Sequence, residues 1–184
     1  MTSRKHPPQP YWNRFWRAAY AWSSFQHVRD VCDYILSHKI QPEDKIYYPL
    51  VAAICVFYAR PFKRSKGIER LSAVQFVPKK FRMLHKLLES VRDETIAHVD
   101  ARSFQFKGLP ANNVRIIIRD RQPLLLPHGV KFKATLIPEI RELVMALEKR
   151  MHEHSNKLVS EYPHEAPDDG EYLLDLDTQS LRRL

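Results

Sequence analysis

The sequence predicts an all-α protein built on a four-helix bundle, with a small β-hairpin or extended insertion before the last long helix. Apolar residues recur at intervals of three and four along four long segments, and a β-branched run near residue 114 interrupts that period. A hydrophobic content of 44% over 184 residues suits one globular domain. We therefore expect a flexible arm at residues 1–9, the helical bundle at 10–160, and an acidic, mobile tail at 161–184.

The first helix is predicted to begin at Pro10 and to end near Lys39, because proline is accommodated in a first helical turn. Its aromatic residues follow helical spacing, which favours a core face or a dimer interface over a surface that stacks bases. These are Tyr11, Trp12, Phe15, Trp16, Tyr20, Trp22 and Phe25. The second helix is predicted to start at residues 41–44 and to end at 60–61, with Pro49 indicating a kink or a later start.

The third helix is predicted to open at Pro78 and to run through Val91. Residues 114–119 are rich in β-branched side chains, and the leucine run at 124–126 follows a short polar segment, which predicts the hairpin or extended excursion. The fourth helix is predicted to start at about Ala134 or Pro138 and to end at Ser160. Its apolar face consists of Ile140, Leu143, Val144, Leu147 and Met151.

The charge of the chain is distributed unevenly. The net charge is +9, but residues 161–184 carry seven acids against two arginines, so residues 1–160 carry +14. Such a body attracts polyanions, which favours nucleic acid as a partner over the alternative that the excess charge only maintains solubility. Two basic clusters flank the third helix, where phosphate contacts compete with solvated loop charge as the interpretation. They consist of Arg60, Lys63, Arg64 and Lys66, and of Lys79, Lys80 and Arg82.

Several protein classes are excluded by the composition. No apolar run approaches the roughly 20 residues that cross a bilayer, and the N-terminus lacks the apolar stretch of a signal peptide, so we expect no membrane association. Cys32 and Cys55 both lie within helical patterns, which favours a reducing compartment and a cytoplasmic location. Without a zinc-type Cys/His pattern or a glycine-rich phosphate loop, we expect no metal and no cofactor.

Residues 91–100 combine a permanent cation, a group that titrates near neutral pH and several acids. On an uninterrupted helix Arg92 and His98 lie about 240° apart around the axis and about 9 Å apart along it, so they do not share a face. They could converge if the helix breaks, if the arginine reaches round, or if a second copy of the segment faces the first. Glu94 does share a face with His98 and could orient its imidazole.

The chemistry open to an arginine and a histidine without a metal is attack of a ribose hydroxyl on its own phosphate. His98 would act as general acid or base, and Arg92 would hold the phosphate and stabilise its developing charge. The plain alternative is that the acids and Arg92 form solvated ion pairs at a helix end, with His98 as an ordinary surface or capping residue.

The segment Arg-Asp-Glu-Thr-Ile-Ala-His-Val-Asp at residues 92–100, at the end of an apolar helix, resembles the HEPN superfamily of helical-bundle proteins. Together with Tyr-Ala-Arg-Pro-Phe at 58–62, it looks most like the branch associated with abortive infection of phage-infected bacteria. Over roughly residues 15–155, the resemblance implies a bundle that dimerises so that Arg and His of two protomers meet. Active members are metal-independent endoribonucleases.

The resemblance implies catalytic roles for Arg92 and His98. The residues that would tune this site are Asp93, Glu94, Thr95 and Asp100. Asp93 stands where the family commonly has Asn or His, and we expect its charge to pair with Arg92.

Two functions follow from these interpretations. The first is a metal-independent endoribonuclease, acting on RNA as a homodimer in antiviral defence or in a toxin–antitoxin role. The alternative is a catalytically inactive dimeric module that binds a partner protein or inhibitor, with the motif kept as an ion-pair network. The acidic tail suits either, since it could occupy a basic groove or present residues 172–176 to a partner. DNA binding through Arg115, Arg119 and Arg121 ranks third.

Overall fold

The structure is a computed structural model, and it describes residues 9–64, 69–93, 105–106, 109–110, 116–119, 122–125, 132–161, 170–175 and 180–184. Helices predominate among these residues, which confirms the predicted all-α class. The helices are α1 Gln9–Ser37, α2 Tyr47–Ala59, α3 Ala73–Phe76, α4 Arg82–Val91 and α5 Leu136–Ser160. Short 3-10 turns lie at Arg60–Phe62 and Lys79–Phe81. No described helix has both the length and the apolar character needed to cross a bilayer.

The core lies where α1 packs along α5 and α2, and where α2 packs on α4. All five residues of the predicted apolar face of α5, from Ile140 to Met151, are fully buried, which confirms that prediction. Complete burial of such a side chain contributes about 1.5–3 kcal/mol of transfer free energy. The long helices α1 and α5 therefore supply much of the hydrophobic stabilisation of the fold.

The aromatic residues of α1 lie only partly in the core. Phe25 is buried, but Trp22 is 40% exposed, whereas Ala18 and Ala21 are buried. The buried face in the C-terminal half of α1, extended towards the N-terminus at 3.6 residues per turn, passes through positions 21 and 18. Large aromatic side chains at the start of α1 are therefore left partly outside the core.

The predicted start of α2 at residues 41–44 is wrong, and the later start that Pro49 allowed is correct. The backbone N–H of Gln41 donates to the Asp44 carboxylate at 2.7 Å, and the Asp44 N–H donates back to the Gln41 carbonyl at 3.0 Å. This exchange closes a turn. Helix α2 begins at Tyr47, which places Pro49 in its first turn, where its missing N–H removes no helical hydrogen bond.

The described strands form three antiparallel pairs. They are β1 Gln105–Phe106 with β2 Leu109–Pro110, β3 Ile116–Arg119 with β4 Gln122–Leu125, and β5 Tyr172–Asp175 with β6 Ser180–Arg183. The β3–β4 pair, with Ile116 opposite Leu125, is the hairpin predicted before the last long helix. The β5–β6 pair lies within the predicted tail. Arg119 lies in β3, whereas Arg115 and Arg121 lie outside the described residues.

The connection after α2 turns inward instead of running over the surface. Phe62 is 4% exposed and packs its ring 5.5 Å from that of Tyr58. The N–H of Leu71 donates to the Pro61 carbonyl at 2.7 Å, which holds the connection against the body. Helix α3 follows two residues after Leu71. Anchoring Phe62 directs the next residue, Lys63, towards the end of α4.

Candidate functional site

A chain of hydrogen-bonded polar side chains joins the end of α2 to the C-terminal half of α4. Helix α4 contributes His85 and Glu89, and Asp93 is the second residue after its last residue, Val91. Their spacing of four residues places them on one helical face. The α2 side contributes Tyr58 and Lys63. We call Tyr58, His85, Glu89, Lys63, Asp93 and Arg92 the polar chain.

The inner half of the polar chain is buried. Tyr58 and His85 are 0% and 6% exposed, and the Tyr58 Oη lies 2.9 Å from His85 Nδ1. Burial raises the pKa of Tyr58 well above its usual value, so the phenol keeps its proton. His85 Nε2 lies 3.0 Å from the Glu89 carboxylate, which can only accept, so Nε2 is the donor there. In the neutral tautomer with that proton, Nδ1 accepts a hydrogen bond from the Tyr58 hydroxyl.

The outer half of the polar chain alternates in charge. Lys63 Nζ lies 3.2 Å from Glu89 Oε1 and 2.6 Å from Asp93 Oδ2, and Arg92 Nη1 lies 2.9 Å from Asp93 Oδ1. Burial alone would lower the pKa of Lys63, but hydrogen bonds to the two carboxylates outweigh it and raise that pKa. Burial alone would likewise raise the pKa of Glu89 and of Asp93, but their cationic and imidazole partners lower both. The predicted pairing of Asp93 with Arg92 is confirmed.

The outer end of the polar chain lies just past the end of α4. Arg92 keeps helical backbone angles, its N–H donates to the Leu88 carbonyl, and the side chains of Arg92 and Asp93 are 34% and 39% exposed. The described part of the motif therefore begins at the protein surface, at the end of a hydrogen-bonded path from the core.

The predicted site residues separate into three groups. Arg92, Asp93 and Lys63 meet in the polar chain, while Arg60 lies one turn before Lys63, and the exposed Arg64 follows it. The second basic cluster lies at the other end of α4, about 15 Å away along the helix. Lys79 and Arg82 are exposed there, and Lys80 pairs with Glu142 of α5. Lys66, Glu94, Thr95, His98 and Asp100 lie outside the described residues.

His85 and Glu89 were not predicted as site residues. The sequence does contain a pattern that indicates them: His85, Glu89 and Asp93 are four residues apart, and this spacing brings side chains together on one face of a helix. Tyr58 was noted only as part of the segment that resembles the HEPN branch. Its contact with His85 spans 27 positions of the chain and has no local signature.

A small cleft adjoins the polar chain at Lys63. It has a volume of about 220 Å³ and lies between α1 and the turn that follows α2. Its lining residues are Trp16, Arg17, Tyr20, Arg60, Pro61, Lys63 and Glu69. The aromatic residues of α1 were predicted to lie in a core face or a dimer interface; Trp16 and Tyr20 are half-buried and line this cleft.

A second buried charge lies between α1 and α5. Glu148 is 7% exposed; its Oε2 accepts a hydrogen bond from Arg29 at 2.6 Å, and Oε1 has no partner among the described residues. Burial raises the pKa of this carboxyl, and the positive charge of Arg29 offsets the effect only in part. This arrangement holds α1 and α5 together rather than forming an accessible site.

The described residues contain no group of three or more His, Cys, Asp and Glu side chains arranged to hold a metal ion. Comparisons with known protein families, with curated proteins and with solved structures found no match to this chain. The candidate site is therefore interpreted from its own residues, and the HEPN resemblance stays a prediction.

Proposed function

We propose that this protein is a metal-independent endoribonuclease of HEPN type whose active site is formed by Arg92 and His98 at a homodimer interface. The observation that supports it best is the polar chain, because it holds Arg92 and Asp93 in a defined position. A solvated ion pair at a helix end, the plain alternative, would not require a buried tyrosine and histidine behind it.

The guanidinium of Arg92 suits phosphate binding. Among the described contacts it uses one nitrogen, for Asp93, so further N–H donors are available to a phosphate group. Its exposed fraction of about a third leaves that face open to a ligand. In the proposed reaction, Arg92 neutralises the negative charge that develops on the phosphate oxygens.

The proposed reaction is an internal transesterification. His98 takes the proton of the ribose 2′-hydroxyl, whose oxygen attacks the adjacent phosphorus. The bond from phosphorus to the 5′-oxygen of the next nucleotide breaks, and that oxygen receives the proton that His98 has taken from the 2′-hydroxyl. The products are a 2′,3′-cyclic phosphate and a 5′-hydroxyl, so the atoms balance without a metal or water.

The homodimer is part of the proposal for a geometric reason. Arg92 and His98 of one continuous helix would lie on different faces. Two antiparallel copies of the segment would bring Arg92 of one protomer near His98 of the other. The cleft beside Lys63 and the net charge of +14 on residues 1–160 are compatible with an RNA strand entering this region.

A second candidate function is a catalytically inactive dimeric module that binds another protein. It is favoured by Asp93, which bridges Lys63 and Arg92 and, together with Glu89, balances their two positive charges. In that case the polar chain would only fasten α2 to α4.

Cleavage of single-stranded RNA in the presence of EDTA separates the two candidates. Wild-type protein is compared with Arg92→Ala and His98→Ala, and with His152→Ala and Lys149→Ala as controls on the exposed face of α5. We expect chelator-resistant cleavage that falls by about 100-fold or more in the first two variants and is unchanged in the controls. Equal cleavage by all five proteins would indicate contamination and overturn the assignment, and an inactive wild-type dimer would favour the binding module.

Mixing the two inactive variants tests the composite site. A heterodimer of Arg92→Ala and His98→Ala protomers contains one intact pair, formed by the arginine of one chain and the histidine of the other. We expect the mixture to recover part of the activity. No recovery, when heterodimers are shown to form, would contradict a site shared between protomers.

A further inference from the structure

The cleft beside the polar chain is small for a ligand-binding pocket. Its volume of about 220 Å³ is below the roughly 300–1,000 Å³ of pockets that enclose drug-sized ligands. One wall is α1, the other is the turn at Arg60–Phe62, and Lys63 and Glu69 complete the rim. The surfaces that meet in this cleft are aromatic on one side and cationic on the other.

The aromatic wall consists of Trp16 and Tyr20, which lie one turn apart on α1. Their ring centroids are 5.0 Å apart and their planes differ by 9°, so the two rings form one stacked unit. Both side chains are half-buried and lie outside the buried hydrophobic core cluster. A preformed aromatic stack at the edge of a small cleft is a suitable platform for a nucleobase, because every base presents a π face.

The cationic wall is formed mainly by Arg60. Its guanidinium lies over the ring of Phe57, 4.9 Å from the centroid, which orients the group while leaving it exposed. It makes no ion pair with any carboxylate in the described part of the chain. A guanidinium held in place without an anionic partner is well suited to receive a phosphate.

Arg17 is a second cation available to a ligand. It pairs with Glu69 at 3.2 Å, but the Glu69 side chain is 92% exposed, so solvent screens this pair and a phosphate can replace the carboxylate. Lys63 is different, because Glu89 and Asp93 already occupy its ammonium group. Lys63 belongs both to the lining of the cleft and to the polar chain, so the two sites are adjacent.

We propose that this cleft binds one nucleotide of single-stranded RNA, with its base stacked on Trp16 and Tyr20 and its phosphate held by Arg60 and Arg17. The proposal rests on the proposed function for the identity of the strand, and it adds a subsite that positions the strand next to Arg92. Paired bases are already stacked within a duplex, so the cleft selects unpaired RNA.

Binding of a fluorescein-labelled single-stranded RNA octamer, followed by fluorescence anisotropy, tests the subsite. The measurements use His98→Ala protein, so that cleavage does not disturb the titration. Adding Trp16→Ala or Tyr20→Ala is expected to weaken binding about 5- to 100-fold, the range that corresponds to loss of one base–aromatic stack. Arg60→Ala is expected to weaken binding and to reduce its dependence on salt concentration.

Matched controls separate the cleft from general effects. Trp22→Ala removes a tryptophan that is 40% exposed on the same helix and does not line the cleft, and Lys149→Ala removes one positive charge on α5. Both are expected to bind the octamer nearly as the parent protein does. Equal weakening by Trp16→Ala and Trp22→Ala, or unchanged binding in Trp16→Ala and Arg60→Ala, would overturn the proposal.

A duplex of the same sequence tests the stacking itself. The affinity of the duplex should be the same with and without Trp16→Ala. If this substitution weakens binding of the duplex and of the single strand equally, base stacking is excluded.

A fluorescence measurement tests the subsite even if Trp16→Ala destabilises the folded protein. In the variant Trp12→Phe/Trp22→Phe, Trp16 is the remaining tryptophan of the chain. Its fluorescence should be quenched by uridine 5′-monophosphate and not by ribose 5-phosphate, which has no base to stack. Absence of quenching by the nucleotide at saturating concentration would overturn the proposal.

Failure of this proposal and failure of the proposed function are distinguishable. Octamer binding that depends on Trp16, in a wild-type protein without nuclease activity, would sustain the subsite and reject the nuclease. Chelator-resistant cleavage that depends on His98, with an unchanged KM in Trp16→Ala, would sustain the nuclease and reject the subsite.

Discussion

The ammonium of Lys63, just after α2, lies 2.6 Å from the carboxylate of Asp93, just after α4. The contact joins two segments that are 30 positions apart in the chain. A second contact, from Tyr58 to His85, joins the same two helices deeper in the protein. Helices α2 and α4 are therefore connected at two levels, and the outer level contains the first two residues of the HEPN-like segment.

The buried end of the polar chain should contribute to stability. Tyr58→Phe leaves His85 Nδ1 buried without a donor, and we expect the free energy of unfolding to fall by about 1–3 kcal/mol. Tyr34→Phe is the control, because that side chain is 47% exposed and its hydroxyl remains accessible to water. Urea denaturation monitored by circular dichroism measures both. In a double-mutant cycle with His85→Leu, a coupling energy near zero would contradict the described hydrogen bond.

Asp93 should limit the affinity of the site for phosphate. Asp93→Asn removes the negative charge that Lys63 and Arg92 share, so RNA affinity in the His98→Ala background is expected to rise severalfold. The free energy of unfolding is expected to fall by about 1 kcal/mol, since two partly exposed ion pairs are lost. Asp30→Asn changes the net charge equally on the exposed surface of α1. If the two variants bind a labelled octamer with the same affinity, Asp93 has no specific role.

The polar chain should make stability depend on acid pH. The pKa values of Glu89 and Asp93 in the folded protein are below their usual values of 4.5 and 3.8. These two carboxylates therefore stabilise the fold fully at pH values above 4.5, and this stabilisation is lost as the pH falls through their folded-state pKa values. Lys63 has a raised pKa, so its contribution is present below its usual 10.5 and is lost only at higher pH. Urea midpoints should fall below about pH 4.5 in wild type and fall less steeply in Glu89→Gln. The exposed control Glu142→Gln should follow the wild type.

Glu148 should show the opposite pH dependence. Its pKa is raised by burial, so between the unfolded and folded values the native state binds more protons, and stability falls as pH increases. Glu148→Gln removes this penalty but also the ion pair with Arg29. The stability of the variant relative to wild type should therefore improve as pH rises above the usual value of 4.5. Glu153→Gln on the exposed face of α5 should show no such trend, and a parallel pH profile for wild type and Glu148→Gln would contradict the raised pKa.

Local signals predicted the main helices well and their ends less well. The apolar period over Ile140–Met151 describes a face that is buried in the structure, because a repeat of 3.6 residues is a property of the helix itself. The start of α2 was misplaced because proline and acids at 41–44 are common both in first helical turns and in tight turns. The Asp44 side chain closes the turn instead, and that choice depends on the surrounding chain.

The candidate site could be predicted only in part. The spacing of His85, Glu89 and Asp93 is visible in the sequence, and the pairing of Asp93 with Arg92 was expected from their adjacency. The partners Tyr58 and Lys63 come from another helix and its following turn, and the cleft with Trp16 depends on how α1 lies against that turn. Contacts between distant segments have no periodicity that a sequence pattern could reveal.

The sequence by itself determined the helical class, the basic body and the position of the Arg–His segment, because these follow from residue type and local spacing. The tertiary structure alone decided that Arg92 stands at the end of a buried hydrogen-bonded path and that Lys63, in the same path, also lines an aromatic and cationic cleft. The physical reason is that burial pairs polar groups across helices, since an unpaired buried donor or charge is costly. That requirement acts on residues that meet only after the chain has folded.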